Sequence, residues 1–196
     1  MANLIVITGA QASGKMTIGK ALSEKIGYRL ITNHDSIELP DEMFGMGTEI
    51  QKRATKEIRK ALFRECINHD IDTIFTFVTA FDQESDIEYL NNLKKLYEQT
   101  GGEFYFVELI CNLEERLRRN VTEERLNAKP SKRDIKRSTK DLLDTHNRYR
   151  LNSNIDEYIF PNHIKIDNTN LSKEEVADMI INKYDLEVVK EKGRKI

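Results

Sequence analysis

Gly9-Ala10-Gln11-Ala12-Ser13-Gly14-Lys15-Met16-Thr17 stands between an apolar run, Leu4-Ile5-Val6-Ile7, and a stretch whose apolar residues recur at helical spacing. Few architectures admit that order. The glycines let the backbone turn where a side chain would clash, so successive N–H groups converge on an anion, and Lys15 adds a mobile positive charge. Strand, glycine-rich turn and helix in this succession read as a phosphate-binding loop, with Gly9 to Thr17 as its nucleotide contacts and Lys15 at the β- and γ-phosphates.

The alternation continues downstream. Ile18, Ala21, Leu22 and Ile26 mark a helix that Gly27 ends, and Tyr28 to Thr32 reads as a second strand. Residues 36–47 carry Pro40, Gly45 and Gly47 and read as irregular. Thr48-x-x-Gln51 then opens a helix with Ile50, Ala54, Ile58, Ala61, Leu62 and Cys66 on its apolar face. Thr73 to Val78 reads as a central strand, Ser85-x-x-Glu88 caps a helix, and Phe104 to Ile110 is a fourth strand. Asn112-x-x-Glu115 opens another helix; Ile164 to Ile166 forms a fifth strand, begun by His163, and Ser172-x-x-Glu175 caps the last helix. Parallel neighbours need crossovers, so this order predicts an α/β fold, a parallel sheet covered on both faces, with ligands at the strand C-terminal edge.

A chain of 196 residues with 39% hydrophobic content is sized for one domain, here 1–184, followed by a charged and frayed tail, 185–196. The formal net charge of −2 gives no reason to expect nucleic acid as a partner. Cys66 and Cys111 lack metal-type spacing and read as buried thiols, which suits a reducing cytoplasm. No apolar run is long enough for a membrane span. Against that neutral background, Arg116 to Arg137 holds nine cations and three anions, a local balance of +6. Residues 119–134 read as a mobile Arg-rich lid, whereas Arg116, Arg118, Lys136 and Arg137 read as a solvated helix face.

The hydroxyl that usually follows the lysine is missing, because Met16 occupies its place and Thr17 comes one residue later. That order resembles the Gly-Lys-Gly-Thr loop of adenylate kinases, with Met for the third glycine. With the lid, the chain is similar to adenylate- and shikimate-kinase-like P-loop kinases. The resemblance implies a three-layer α/β/α P-loop NTPase fold, a five-stranded sheet in the order 2-3-1-4-5, and ATP with Mg²⁺ as cofactors. It also implies Arg119 on the adenine, Arg125 or Arg133 on the phosphates, and Asn168 at the base edge. Thr17 is then the expected metal-side hydroxyl, and Asp82, after the third strand, the expected acid near Mg²⁺. The acceptor side falls on 36–60 and on Asn33, His34 and Asp35, with Asp35 orienting the nucleophile. Shikimate kinases have Asp-x-Asp there and three glycines after strand three. This chain has Asn33 and no such glycines, so shikimate is not the expected acceptor. The expected activity is γ-phosphate transfer from ATP to a small molecule, at a hydroxyl or a nucleotide phosphate. An ATP-binding switch without metabolite kinase activity and a 5′-end polynucleotide kinase are the alternatives.

Overall fold

The computed structural model describes residues 1–128, 133–157 and 159–189. Five parallel strands, β1 (Leu4–Gly9), β2 (Arg29–Ile31), β3 (Thr73–Thr76), β4 (Phe104–Ile110) and β5 (His163–Asp167), form one sheet in the order β2-β3-β1-β4-β5. This is the P-loop NTPase order expected above, and β1 lies at its centre. Helices α1 (Lys15–Ile26) and α8 (Lys173–Tyr184) cover one face, where Ile5, Ile7, Leu22, Val107 and Ile180 are fully buried or nearly so. On the other face lie α3 (Glu49–Asn68) and α4 (Glu84–Glu98), joined to the sheet by an aromatic core. Phe63 meets Phe75 edge-on at 5.1 Å, and Phe160 packs on Phe104 and Phe106 at 5.1 and 4.7 Å. Strand alternation places Leu4 and Val6 on this face and Ile5 and Ile7 on the other, so both sides of β1 are buried.

The segment read as irregular is a helix, α2 (Asn33–Phe44). Thr32 begins it: its hydroxyl accepts from Asp35 N, and Asp35 Oδ2 accepts from Thr32 N at 2.6 Å, a complete capping box. That reciprocal start outweighs Pro40, whose missing N–H removes a single bond inside the helix, and Gly45 then ends it at φ 81°. Strand β2 therefore stops at Ile31, and residues 33–35 belong to the first turn of α2.

Helix α3 starts at Thr48 as read, but it buries a different face. Ile50 and Leu62 are exposed, while Gln51, Thr55 and Phe63 are buried, with Arg59 between them at the same four-residue spacing. The strip is satisfied polar contact: Gln51 Nε2 donates to Thr55 Oγ1, and Arg59 donates to Ser36 Oγ at 2.8 Å and Asn33 Oδ1 at 2.5 Å. Arg59 also lies over Phe75, Phe77 and Tyr89, and burial lowers its pKa. Helix α4 begins two residues earlier than Ser85 would set it, with Gln83 at the N-cap and no side-chain cap.

After β4 come α5 (Leu113–Asn120), α6 (Glu123–Ala128) and α7 (Ile135–Arg148), which span the segment read as an Arg-rich lid. Lys129, Pro130 and Lys132 lie outside the described residues, as does the tail beyond Val189. Residues 185–189 fold back instead of fraying: Leu186 packs on the α1–α8 core, and Val189 N donates to Lys25 O at 2.9 Å. Cys111 is buried and Cys66 half-buried, both as free thiols. Among the described residues no helix is long and apolar enough to cross a membrane.

One polar group sits inside the aromatic core. Glu108 of β4 is fully buried and accepts from Ser153 N and Oγ, Asn152 Nδ2 and His163 Nε2. Arg150, half of a pair with Glu157, donates to Phe81 O. The 147–153 segment therefore stitches β4 to the β3–α4 turn, and it lines neither of the cavities described below.

Candidate active site

Gly9 closes β1 at φ 146°, where an added Cβ would come within 2.8 Å of Leu109 O and 2.9 Å of Ser13 Oγ. Gly14 closes the turn at φ 96° and stands at the N-cap of α1. A helix leaves its first-turn N–H groups without intrahelical partners. In α3, α5 and α8 a side chain supplies the partner, from Thr48, Asn112 and Ser172. Helix α1 has no side-chain cap and no acid in its first turn. Its amino end therefore keeps the amides and the positive end of the dipole that an anion would satisfy.

Three side chains grip the loop by its carbonyls. Arg116 Nε donates to Gln11 O at 2.8 Å, and Asn168 Nδ2 and Arg119 donate to Ser13 O at 2.8 and 3.2 Å. In a trans peptide the N–H points opposite to the C=O, so these outward pulls turn the amides of Ala12 and Gly14 the other way. Ala12 sits at φ 61°, a left-handed position that costs a residue with a Cβ about 1 kcal/mol. Lys15 Nζ lies within the turn, donating to Gly9 O and Ala10 O at 2.7 Å each.

Arg116 overturns its reading as a solvated residue. It is 2% exposed, burial lowers its pKa, and its NH1 lies 3.4 Å from His146 Nδ1 of α7. Nothing in the spacing of arginines along α5 distinguishes the one that turns inward.

Two contiguous cavities meet at Gly14 and Thr17. One, of about 540 Å³, lies between the start of α1, Glu115, Arg118 and Arg119 of α5, and residues 168–173 after β5. Glu115 orders its wall: it accepts from Arg118 at 2.6 and 2.7 Å and from Arg119 Nε at 2.7 Å. The Arg118 bonds first, and those of Arg119 after them, lower its pKa to about 2. Arg119 continues to Asn168 O and Thr169 O, so the candidate adenine-side arginine is fixed at four points. Asn168 uses its amide nitrogen on the loop, and its Oδ1 is buried without a protein partner among the described residues.

The other cavity, of about 480 Å³, extends over Gln11 to Thr17. Asn33, His34, Thr76 and Val78 bound it on the β2–β3 side of β1, and Arg118, Arg119, Thr122 and Arg125 on the β4 side. Arg125 Nε donates to Asn120 Oδ1 at 3.0 Å, and Asn120 is itself buried and tied to Ser138 of α7. Burial lowers the Arg125 pKa, and a guanidinium stays charged regardless. Arg133 is exposed, donates to Leu126 O and lines neither cavity.

Asp35 is exposed, with one carboxylate oxygen in the α2 capping box, and Asp82 is exposed in the turn before α4; neither lines a cavity. Among the described residues no group of three or more His, Cys, Asp or Glu could hold a metal ion. Thr17 is thus the metal-side candidate that the cavities contain.

No family model matches the chain, and no curated protein matches its sequence. Its fold does match solved structures. One is a presumed kinase of Chloroflexus aurantiacus, 16% identical over 94% of this chain and 96% of that one, with a TM-score of 0.62. Another is the APS kinase of Mycobacterium tuberculosis in complex with AMPPNP and APS, 14% identical over 94% and 98%, with a TM-score of 0.60. A third is a sugar kinase of Janibacter sp., 16% identical over 95% and 96%, with a TM-score of 0.59. At these identities the likeness is one of fold.

Proposed function

We propose that this chain is an ATP-dependent phosphotransferase that moves the γ-phosphate to a small-molecule acceptor, at a hydroxyl or a nucleotide phosphate. One observation carries the reading: an uncapped helix start, Lys15 and a half-buried Arg125 converge on one cavity. Fixed donors around a triphosphate are what phosphoryl transfer asks of a protein, because charge spreads over the transferring oxygens and little covalent work is left. Loop amides and Lys15 bind the β- and γ-phosphates, Arg125 meets the transferring group from the lid, and Arg119 covers the adenine in the first cavity. Small-molecule kinases with this fold support the assignment.

Mg²⁺ suits the site in one limited way: Thr17 would hold it, with nucleotide oxygens and water completing its shell, since Met16 offers no hydroxyl and among the described residues no carboxylate lines the second cavity. When bound, the ion neutralises charge on the β- and γ-phosphates. Met16 also favours a second reading, an ATP-occupied switch that closes the lid without turnover.

Arg125→Ala separates the two. For a kinase, ADP release is expected to fall about 10²-fold with ATP affinity changed far less, because the lost charge acts on the transferring group. Unchanged ADP release in that variant counts against the role. Tight ATP binding without ADP release by the wild-type chain favours the switch.

A further inference from the structure

Helix α3 turns its apolar side away from the protein. Helical spacing puts Ile50, Ala54, Ile58, Ala61 and Leu62 on one face, yet that face is exposed or half-buried, while Gln51, Thr55 and Phe63 point inward. Ile50, Ile58 and Leu62 belong to neither core cluster. From Ile50 to Leu62 the stripe runs for about 18 Å.

Helix α2, held to α3 through Ser36 and Arg59, adds to this surface. Leu39 and Met43, one helical turn apart, and Phe44 and Met46 beside the α2–α3 turn are exposed at between 40 and 64%. Of the fifteen large apolar side chains exposed among the described residues, six lie on this helix pair and its turn, and the other nine are spread along the rest of the chain. Scattered singly such residues need no explanation; gathered on one helix pair they mark an interaction surface. Leu39, Met43, Ile50 and Leu62 line neither cavity, so the surface is separate from the candidate active site.

Charge decides what covers it. Helix α2 carries Glu42 three residues after Leu39, with Glu38 one turn before Glu42, and has no lysine or arginine. Helix α3 carries Arg53 three residues after Ile50, and Lys60 follows two turns on along the same face. Among the described residues Glu42, Arg53 and Lys60 form no ion pair within the chain. An acidic partner would meet Glu38 and Glu42, and a basic one would meet Arg53 and Lys60, so a partner of one sign suits only half the surface. A second copy suits both halves. A two-fold axis running between the helices lays the acids of each α2 against the cations of the other α3.

We propose that the α2–α3 face is the contact between two copies of this chain in a two-fold dimer. Leu39, Met43, Ile50 and Leu62 are its apolar centre, and Glu38 and Glu42 of each copy face Arg53 and Lys60 of the other.

Sedimentation equilibrium of the full chain tests this. At about 100 µM the expected mass is twice 22.8 kDa. The double substitution Ile50→Glu, Leu62→Glu is expected to raise the dimer Kd about 10²-fold or more with the far-UV circular dichroism unchanged, because it would bury unpaired carboxylates. Two charge-reversed chains read the pairing itself: Glu38→Lys with Glu42→Lys, and Arg53→Glu with Lys60→Glu. Alone, each is expected to dimerise about tenfold more weakly, since like charges then meet twice; mixed in equal amounts, the two are expected to regain the dimer.

A wild-type chain that stays monomeric at about 100 µM overturns the proposal and leaves the face to another protein. A dimer that survives the double substitution in a folded chain overturns it as well. Should that variant lose its helical spectrum, the charge-reversed chains decide: weakening alone and recovery together support the proposal, and any other pattern overturns it.

Discussion

Lys15→Ala is expected to lower kcat/KM for ATP by about 10³-fold or more while the fold persists. The ammonium is held in the turn by Gly9 O and Ala10 O, two carbonyls that solvent can satisfy when it is gone. The loop's shape does not depend on it, because Arg116, Arg119 and Asn168 hold Gln11 O and Ser13 O from outside. What the substitution removes is the charge placed for a polyanion at the uncapped start of α1. Calorimetric titration with an ATP analogue, read beside a thermal melt, checks both halves. Wild-type affinity in a folded variant would remove the nucleotide role of the loop.

Glu108→Ala is expected to cost stability rather than chemistry, by about 3–5 kcal/mol in the urea-derived unfolding free energy. The carboxylate is fully buried, and its loss leaves His163, Ser153 and Asn152 facing a hole in the core. Glu108→Gln, which keeps the volume and part of the bonding, is expected to lose less. Burial alone would raise the carboxyl's pKa, but hydrogen bonds from His163, Ser153 and Asn152 outweigh it and hold it below the ordinary value. A folded pKa below the unfolded one adds stability above the unfolded value, near pH 4.5, and that stability is lost as pH falls through the folded value. The gap between wild type and Glu108→Ala is therefore expected to be full at neutral pH and to narrow as the solution is acidified below about pH 4.5. A gap independent of pH would show that packing, and not the ionised carboxylate, sets the cost.

The central strand and the phosphate loop were legible because their signals are local. Glycines at Gly9 and Gly14 take conformations that no other residue adopts cheaply, and apolar residues on both sides of them keep one period each. Strand order was not written in any periodicity and came from the resemblance. Helix α2 was hidden because Pro40 and Gly45 read as breakers, whereas the Thr32–Asp35 box that nucleates it uses an aspartate where the usual pattern has Glu or Gln. The face of α3 was misread by about one residue of rotation. Apolar counting selected Ile50 and Leu62, but the helix buries Gln51 and Thr55 and sets a half-buried Arg59 against Ser36 of α2.

At the site the division is similar. Lys15, Thr17, Arg119, Arg125, Asn33 and His34 do come together around the two cavities. Arg116 and Glu115 were missed because their roles depend on which way α5 turns, and charge at helical spacing carries no sign of that. Asp35 and Asp82 were attractive as acids at strand ends, yet the backbone between strand and site moves both out of the cavities. A one-residue difference in where β2 stops is enough to bring His34 to the wall and to place Asp35 outside it.

In the proposed reaction a triphosphate lies over Gln11 to Thr17. Diffraction from crystals grown with a non-hydrolysable ATP analogue and Mg²⁺ tests it most directly. The expected density places the β- and γ-phosphates within hydrogen-bond distance of the loop amides and Lys15, with the base between Arg119 and residues 168–173. Analogue bound elsewhere, or a loop left without phosphate at saturating analogue, would contradict it.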